Sequence, residues 1–437
     1  MKKSNQKENR RNFIKDTLWK GLLLSLAGSL PRLSLASEDE ESLRTDLYYA
    51  DGKTIDWDKV KGMFTLAPHR RHFNTASIGP SPKKVQDKTI EAIRYINKYG
   101  LENHKQVDRV RIQLGQLLNT EPTQLAITRN TTEGMNIIAR SIGLQKGDEV
   151  IITNQEHIGG SAAWLTLKNE LGIKVTVLDI GQQEEHTCTL LQRAITSHTK
   201  VISVSHITCT TGAILPVKDI ITLCKKHTII SVIDGAQAVG QIPVNLKDLE
   251  PDFYVSSGHK WLYGPKGTGI LYLNKDFLIN TGPLFSGAYT DRTFDLKTGL
   301  IEYVQSASRY EYGTINAPIV AGLGAALDFV QIIGKEQIAE RCKQLSSQFY
   351  RGIKNHAKIV VLTPEDQERR AAMVTFRITG TPSSEVCRKL IQEEATVLRN
   401  VHENNLNAIR ASFAIFTSEE EVDELVVKIR TLADAND

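Results

Sequence analysis

The sequence predicts an α/β fold, with a mainly parallel sheet between helices and a second, smaller α/β domain after it. Short runs rich in valine and isoleucine alternate with stretches of helical periodicity. This alternation is typical of βαβ units and of a parallel sheet covered on both faces. The length of 437 residues is also sufficient for two domains with a large core.

The predicted strands fall in one continuous region of the chain. They are residues 124–128, 149–153, 174–180, 200–207, 229–235, 253–257 and 269–273. Helical periodicity lies between several of them, as at 133–142 and 217–227. Because ligands bind outside the carboxyl ends of the strands in such sheets, polar residues that follow these strands are candidates for a site.

The pattern also predicts how the chain is divided. We expect residues 37–70 to form an N-terminal arm and residues 71–315 to form a large domain around the sheet. Helical periodicity at 319–330 and a strand-like run at 371–378 then predict a smaller C-terminal domain, residues 316–437, that covers the site.

Residues 1–36 resemble an export signal. Arg10 and Arg11 precede the apolar run GLLLSLAGSL, and a small-x-small site ends at Ala36. The paired arginines are similar to a twin-arginine signal, which predicts a periplasmic or secreted protein, with a cytoplasmic one as the alternative. The apolar run is shorter than the roughly 20 residues that span a membrane, so we expect no membrane association of the mature form.

Charge and cysteine content exclude two classes of protein. Residues 1–36 hold eight Lys or Arg and two acids, which leaves 46 basic and 48 acidic residues in the rest of the chain. That balance does not fit a protein that tracks nucleic-acid phosphates. The five cysteines are odd in number and show no CxxC spacing, so we predict neither a disulfide framework nor a metal site, but buried free thiols.

The segment after the first predicted strand, RNTTEGMN, looks like the start of a helix. Asn130 and Glu133 fit a capping arrangement, and Thr131 and Thr132 add two hydroxyls beside free backbone N–H groups. Such a helix start suits a phosphate group. Taken alone, it also fits an ordinary capped helix.

Three further polar residues follow predicted strands. His157 comes just after one strand, where a lone histidine is more often a surface or structural group. Asp234 ends another strand, and Gln237 lies three residues further on. A buried aspartate needs a partner, which a ligand would provide, although capping of a helix is an alternative role.

The stretch SSGHKWLYGPKGTG places Lys260 at the end of a strand, where a buried amine is costly unless it has a chemical role. A phosphate cradle, a ring-stacking histidine, a buried carboxylate and this lysine together describe a site for pyridoxal 5′-phosphate (PLP). The lysine would form a Schiff base with the cofactor, and the carboxylate would face the pyridinium nitrogen.

From residue 71 to the C-terminus the sequence resembles the class V aminotransferase family, which includes cysteine desulfurases, selenocysteine lyases and isopenicillin N epimerase-like proteins. The segments that carry the resemblance are RNTTEGMNIIA, EHIGGSAAW, VIDGAQAVGQIPV, FYVSSGHKWLYGPKGTGILYL, SRYEYGTIN and IRASFAIFTSEEEVDELV. It implies the fold of a type I PLP-dependent transferase, with a large PLP-binding domain and a smaller C-terminal domain.

The resemblance implies a role for each matching residue. Lys260 would bind the cofactor and then move a proton at the substrate Cα. Asp234 would keep the ring nitrogen protonated, Gln237 would donate to the ring O3′, and His157 would stack on the ring. Arg410 would hold the substrate α-carboxylate by a two-pronged contact, although a surface ion pair is the alternative.

The phosphate would be held by residues from two subunits. Gly313 and Thr314 would come from the partner subunit, so the resemblance implies a homodimer. The contacts within the same subunit would come from Thr131, Thr132, Ser257 and His259.

One departure from the family pattern bears on the reaction. Cysteine desulfurases carry a nucleophilic cysteine shortly before the carboxylate-binding arginine, whereas residues 397–410 contain none. Cys387 comes earlier, in a helix-like stretch. Cys209 stands where desulfurases have an asparagine, and we interpret it as a packing residue rather than a catalytic thiol. We therefore expect no persulfide on the protein.

These features lead to three hypotheses about function. The first is an enzyme similar to isopenicillin N epimerase that acts at the Cα of an amino acid or small peptide, by epimerase, racemase or aminotransferase chemistry. Its second proton donor would be Tyr289, Tyr312 or His402. The alternatives are a β-eliminating carbon–sulfur lyase without a persulfide cysteine, and a non-catalytic binding protein that keeps the PLP fold.

Overall fold

The structure is a computed structural model, and it describes residues 47–49, 52–100, 104–181 and 186–435. The predicted export signal, residues 1–36, lies outside the described residues and stays a prediction, as does the first part of the predicted arm. From Leu47 onward the chain forms one compact unit.

Helices and strands alternate through most of the described chain. The helices are α1 (Trp57–Gly62), α2 (Lys83–Tyr99), α3 (His104–Leu118), α4 (Thr131–Ser141), α5 (Ile158–Leu171), α6 (Thr187–Ala194), α7 (Val217–His227), α8 (Leu246–Leu249), α9 (Lys275–Asn280), α10 (Ala317–Ile333), α11 (Lys335–Ile353), α12 (Ser383–Glu394) and α13 (Glu419–Asp434). The strands are β1 (Arg71–His72), β2 (Leu125–Thr128), β3 (Glu149–Thr153), β4 (Lys174–Leu178), β5 (Thr199–Ser205), β6 (Ile230–Asp234), β7 (Phe253–Ser257), β8 (Gly269–Leu273), β9 (Asp291–Asp295), β10 (Leu300–Tyr303), β11 (Ile359–Val361), β12 (Met373–Ile378), β13 (Thr396–Val397), β14 (Arg399–Val401) and β15 (Ala408–Ser412).

The large sheet has seven strands in the order β2-β8-β7-β6-β5-β3-β4. Within it only β8 runs against its neighbours, and the other pairs are parallel. The predicted α/β class and mainly parallel sheet are therefore confirmed. Strands β3, β6 and β7 are buried over nearly their whole length, which explains why they read as continuous apolar runs rather than as alternating ones.

The strand predicted at 174–180 is shorter than expected, because β4 ends at Leu178. Asp179 Oδ1 accepts hydrogen bonds from the Gly181 backbone N–H at 2.9 Å and from Asn154 Nδ2 at 2.6 Å. An aspartate that bonds to the backbone two residues on favours a turn over an extended strand. The side chain therefore bends the chain away from the sheet.

Helices α4 and α5 pack against the large sheet and share its core. Met135, Trp164 and Val255 are fully buried in one apolar cluster. Complete burial of a Met or Val side chain is worth about 1.5–3 kcal/mol. The Trp164 indole also donates a hydrogen bond to Ser203 Oγ at 3.1 Å, so its one polar atom is satisfied. This packing fixes the first turns of both helices at the edge of the sheet.

A second, antiparallel sheet lies later in the chain, with the order β11-β12-β15-β14. Its core joins Phe376 to Phe349 of α11 and Leu425 of α13. Phe73, which follows β1, also packs in this core, and β1 pairs with β13. The division of the chain at residue 315 stays a prediction, since residues 47–435 pack as one unit.

The cysteines are free thiols, four of them buried and Cys188 half-buried. Among the described residues, no single helix is both long and apolar enough to cross a membrane. The neighbours α10 and α11 reach that composition only as a pair bent by 79°.

Candidate active site

A cavity of about 240 Å³ opens at the carboxyl edge of the large sheet, where β5, β6 and β7 end beside the first turns of α4 and α5. Much of its lining comes from residues that the sequence predicted. These are Thr131, Thr132, His157, Asp234, Gln237, Ser257, His259 and Lys260. The parallel sheet therefore brings together side chains that are distant in the chain, as expected for this strand arrangement.

The first turn of α4 offers polar groups that lack partners. Asn130 caps the helix by accepting a hydrogen bond from Glu133 N at 2.8 Å. Thr131 Oγ1 is buried and has no hydrogen-bond partner in the described part of the chain, and the same holds for Nδ1 of His259 on the facing loop. Buried polar atoms normally have partners, and a helix N-terminus attracts anions. Together with the buried Ser257, these atoms fit a phosphate group.

Lys260 lies in a tight turn after β7. Gly79 N donates to His259 O at 2.9 Å, and a Cβ at Gly79 would lie 2.2 Å from Lys260 O, so only glycine permits this close approach. Burial lowers the pKa of Lys260 to about 8, although the charge of Asp234 acts in the opposite direction. Roughly a tenth of the lysine is therefore neutral amine at pH 7, far more than for a lysine of ordinary pKa, and this is the form that acts as a nucleophile or base.

Asp234 ends β6 with its side chain only 7% exposed. Its Oδ1 accepts a hydrogen bond from Ala236 N at 2.9 Å, and a Cβ at Gly160 would lie 3.0 Å from Oδ2. A turn follows rather than a helix, so the alternative role as a helix cap is wrong. Burial raises the pKa of Asp234, and a cationic ring nitrogen is the kind of partner that compensates a buried carboxylate.

His157 is the residue that caps a helix here. Its Nδ1 accepts a hydrogen bond from Gly159 N at 3.0 Å, at the start of α5. Burial and, to a lesser extent, the charge of Lys260 lower the pKa of His157 to about 4. The imidazole is therefore neutral at pH 7 and lines the cavity, as stacking on an aromatic ring requires.

Gln237 is held in one orientation by two neighbours. Its Oε1 accepts a hydrogen bond from Trp261 Nε1 at 2.8 Å, and its Nε2 donates to Ala76 O at 2.9 Å. An indole N–H can only donate, so the amide cannot be flipped. One N–H of Nε2 remains for a ligand, which is compatible with the predicted contact to a ring oxygen.

Arg410 lies on β15 and is 0% exposed, so the alternative of a surface ion pair is wrong. Its Nη1 donates to Cys209 O at 2.6 Å and its Nη2 to Ser77 Oγ at 3.0 Å, whereas Nε is buried without a partner among the described residues. Burial and then the nearby charge of Arg399 lower the pKa of Arg410 to about 9. Arg410 is not itself among the residues that line the cavity, but Ser77 and Cys209, to which it donates, are. The guanidinium therefore lies just behind that part of the cavity wall, and its paired donors are of the kind that bind a carboxylate.

Sequence reasoning missed one charged residue of the cavity lining, Arg399, and one glutamate beside the cavity, Glu156. Arg399 lines the cavity and pairs with Glu403. The one signal for Arg399 in the sequence is the short strand-like run before the asparagine-rich loop. Glu156 accepts hydrogen bonds from Ser205 Oγ and Thr153 Oγ1, both at 2.6 Å. Burial raises the pKa of Glu156 to about 7, with a smaller contribution from the charge of Asp234.

The two residues assigned to a partner subunit do not line this cavity. Thr314 lines a separate cavity of about 290 Å³ together with Arg129 and Tyr312. Gly313 N donates to Ala288 O at 2.9 Å. Their predicted role across a subunit interface stays a prediction.

The candidates for a second proton donor also lie away from the main cavity. Tyr312 packs on the Phe285 ring at a centroid distance of 4.8 Å. Tyr289 is 49% exposed and His402 is exposed as well. In the structure of the single chain, none of these three residues is part of the described cavity lining.

The two thiols that the sequence analysis considered, Cys209 and Cys387, are unsuited to act as nucleophiles. Cys209 lines the cavity but is 4% exposed, and burial raises its pKa, so the protonated thiol prevails. Burial also raises the pKa of Cys387 to about 12. Residues 397–410, which run from the end of β13 through β14 and the following loop to the first part of β15, contain no cysteine.

The chain matches known proteins over most of its length. The family model "Aminotransferase class-V" matches residues 83–425. A cysteine desulfurase of Pectobacterium carotovorum is 28% identical over 382 residues, covering 83% of this chain and 92% of that protein. A cysteine desulfurase of Yersinia pseudotuberculosis is 29% identical over the same length, with 83% and 93% covered.

Solved structures share the fold. A lysine-to-alanine mutant of C-DES, with glycine covalently linked to its PLP cofactor, has a TM-score of 0.79 at 25% identity and covers 85% of this chain and 98% of that one. C-DES is described as a cystine C–S lyase in a second structure, a complex with its product cysteine persulfide, with a TM-score of 0.77 at 25% identity and 83% and 98% covered. The apo cysteine desulfurase of Thermococcus onnurineus gives 0.79 at 24% identity, with 86% and 98% covered, which shows the shared fold.

The site and these relatives agree on the cofactor. The unpartnered atoms of Thr131 and His259 fit a phosphate, the buried Asp234 fits a ring nitrogen, and Lys260 supplies the amine. The predicted cofactor, PLP, and the prediction of an enzyme are confirmed. The chain belongs to the class V aminotransferase family of fold type I PLP-dependent enzymes.

Proposed function

We propose that this enzyme is a carbon–sulfur lyase that performs β-elimination on a sulfur-containing amino acid without a persulfide cysteine of its own. The observation that carries the proposal is the absence of cysteine from residues 397–410, beside a cavity whose one thiol, Cys209, has a raised pKa. The relatives are cysteine desulfurases, and C-DES releases a persulfide product. Cleavage of a carbon–sulfur bond is thus common to them, and elimination achieves it without an enzyme thiol.

PLP, when bound, supplies an electron sink that stabilises negative charge at the Cα of an amino acid. Lys260 Nζ, with its pKa of about 8, accepts the proton from Cα. Arg410 holds the α-carboxylate through donors fixed by Ser77 and Cys209 O, which orients the Cα–H bond toward the lysine. The Cβ–S bond then breaks, its electron pair leaves with sulfur, and hydrolysis of the remaining skeleton gives pyruvate and ammonia.

Supporting residues keep the site rigid and the charges separate. Trp261 and Ala76 O fix Gln237, so its remaining N–H points in one direction. The neutral His157 forms one side of the cavity without adding positive charge beside Lys260. Both features favour one orientation of the bound substrate. In a site without an enzyme nucleophile, such orientation is a main source of rate enhancement.

The hypothesis of an epimerase requires a second proton donor on the opposite face of Cα. Tyr289, Tyr312 and His402 were the candidates, and none of the three is among the cavity-lining residues of the described chain. Tyr312 shares the second cavity with Thr314, which we assign below to the site of the partner subunit, so in a homodimer it would approach that site as well. The epimerase hypothesis stays a prediction that the same experiment can test.

We further propose that the enzyme is a homodimer in which Gly313 and Thr314 complete the phosphate site of the partner subunit. In a single chain both residues lie outside the PLP cavity, although the family resemblance assigns them to the phosphate. We expect analytical ultracentrifugation to show a dimer, and Thr314→Val to weaken PLP affinity without loss of the dimer. A stable monomer with full PLP affinity would contradict this.

The function is tested by incubating the purified enzyme with sulfur amino acids in deuterated water. We expect release of sulfide or persulfide with an equal amount of pyruvate, and no release by Lys260→Ala. Deuterium at Cα with inversion of configuration and no sulfur release would instead support the epimerase hypothesis and contradict the lyase.

A further inference from the structure

Two arginines approach the cavity from neighbouring strands of the second sheet. Arg399 of β14 is directly opposite Arg410 of β15 in the antiparallel register. Cross-strand partners point to the same face of a sheet, so the two guanidinium groups lie on the same face of the second sheet. Arg410 is fully buried, whereas Arg399 is partly exposed and lines the cavity itself.

The α-carboxylate of an amino acid needs only one of these arginines. Arg410 is held on Cys209 O and Ser77 Oγ and is suited to that contact. Arg399 is therefore available to a different part of the substrate. A buried cation is costly to keep beside a second cation, and burial and Arg399 together lower the pKa of Arg410. We therefore expect a bound substrate to bring a second anionic group, in addition to its α-carboxylate, that compensates the two positive charges.

Arg399 forms an ion pair with Glu403, and this contact uses only some of the hydrogen-bonding atoms of the two side chains. Its Nη2 pairs with the carboxylate of Glu403, four residues on, and this contact uses one of the five N–H donors of a guanidinium. Glu403 Oε2 is buried and has no hydrogen-bond partner in the described part of the chain. The pair thus offers N–H donors beside an unsatisfied carboxylate oxygen.

Glu403 is ionised and close to the cavity. Burial opposes its ionisation, but a backbone hydrogen bond and Arg399 lower its pKa. Its charge also affects the pKa values of His157 and Cys209, both of which line the cavity. The loop that holds Glu403 is tied to the sheet edge, because Asn404 Nδ2 donates to Asn154 O just after β3.

We propose that Arg399 and Glu403 bind the far end of the substrate, and that this end is itself an amino acid, with its carboxylate on Arg399 and its ammonium on Glu403. The proposal rests on the lyase function and narrows its substrate to sulfur compounds with a second amino-acid end. In such a compound the proton leaves Cα, the Cβ–S bond breaks, and the electron pair departs with the distal half as a thiolate or persulfide. No oxidant or reductant is required.

Four disulfides of cysteine test the proposal, because they share the scissile bond and differ only at the far end. The first is cystine, whose far end carries both a carboxylate and an ammonium group. The other three are mixed disulfides of cysteine: the one with 3-mercaptopropionate carries only a carboxylate there, the one with cysteamine only an ammonium, and the one with ethanethiol no charge. We expect kcat/KM for pyruvate release to be highest with cystine and lowest with the ethanethiol disulfide. Each charged contact should contribute about tenfold or more.

Two variants separate the contacts. Arg399→Gln should lower kcat/KM for cystine and the mercaptopropionate disulfide but not for the other two, and Arg399→Lys should restore part of the loss. Glu403→Gln should lower it only for cystine and the cysteamine disulfide. As a matched control, Arg292→Gln removes an exposed ion pair with Glu302 and should leave all four values unchanged.

Measurements of binding affinity test the subsite independently of the lyase reaction. The affinity of each disulfide is measured by calorimetry on Lys260→Ala protein supplied with PLP, with and without the Arg399 and Glu403 changes. If no disulfide yields pyruvate but the affinities follow the expected order, the lyase proposal fails and the subsite stands. Equal affinity and equal kcat/KM for all four compounds, or the same loss for all four in both variants, would overturn the subsite.

Discussion

Two glutamates at opposite ends of β3 show how differently the two edges of the large sheet are used. Glu149 begins the strand and is 0% exposed, yet it pairs with Lys174 Nζ at 2.6 Å and accepts hydrogen bonds from Thr176, Thr196 and Thr199. Burial opposes ionisation, but these contacts hold the pKa of Glu149 at about 2.

Glu156 follows the other end of the strand and accepts only neutral hydrogen bonds, from Thr153 and Ser205. Burial raises its pKa to about 7. Close by, Thr131 and His259 carry polar atoms without partners in the described chain. At the amino edge the buried polar groups have hydrogen-bond partners within the protein, and they stabilise the fold. At the carboxyl edge several buried polar atoms lack such partners, and a bound ligand would provide them.

The largest expected effect is at the carboxyl edge. Lys260→Ala should lower the lyase rate by at least about 10²–10⁴-fold, because the proton at Cα loses its acceptor. The visible absorbance of bound PLP should change as well, while the free energy of unfolding stays close to that of the wild type. Lys297→Ala, on the exposed turn between β9 and β10, is the control and should change neither property.

Arg410→Lys should have the next largest effect on catalysis. A lysine keeps the charge but loses the two-pronged contact with the α-carboxylate, so we expect kcat/KM to fall about 10- to 100-fold, equivalent to about 1.5–3 kcal/mol. Arg140→Lys is the matched control, because Arg140 pairs with Glu170 on the surface. Equal behaviour of the two variants would argue against Arg410 as the carboxylate-binding residue.

At the amino edge the expected effect is on stability alone. Glu149→Gln should lower the free energy of unfolding by about 1–3 kcal/mol, since it removes the ion pair with Lys174 and weakens the bonds from three threonines. The folded pKa of Glu149, about 2, is below its ordinary value of 4.5. Its contribution is therefore present above pH 4.5 and lost as the pH falls toward 2. Denaturant titrations over that range should show the two proteins converging, with activity per folded molecule unchanged near neutral pH.

Glu156→Gln should give the smallest effect and the opposite dependence on pH. The folded pKa of Glu156, about 7, is above its ordinary value of 4.5. Its contribution is therefore present below pH 4.5 and lost as the pH rises through 7, on the order of 1–2 kcal/mol. Relative to this variant, the wild type should lose stability between pH 4.5 and 7. Parallel stability curves for the Glu149 and Glu156 variants would contradict the contrast between the two edges.

Much of this contrast could be predicted from the sequence, because it depends on where strands end. Asp234 and Lys260 each come at or just after the end of a predicted strand, and this position predicted the cofactor site, because a parallel sheet brings the carboxyl ends of its strands together. The role of Arg399 could not be predicted, because it depends on the cross-strand register with Arg410, which sequence periodicity does not specify. The early end of β4 was missed for a similar reason, since the bond from Asn154 to Asp179 joins two separate loops.

The central claim, elimination without an enzyme thiol, is tested most directly by the carbon product formed from labelled cystine or cysteine. Mass spectrometry of the reaction of the wild type and of Cys209→Ser should find pyruvate in both cases, at similar rates and in a one-to-one ratio with released sulfur. Alanine as the product, with sulfur retained on the wild-type protein and lost in Cys209→Ser, would show persulfide chemistry and contradict the account.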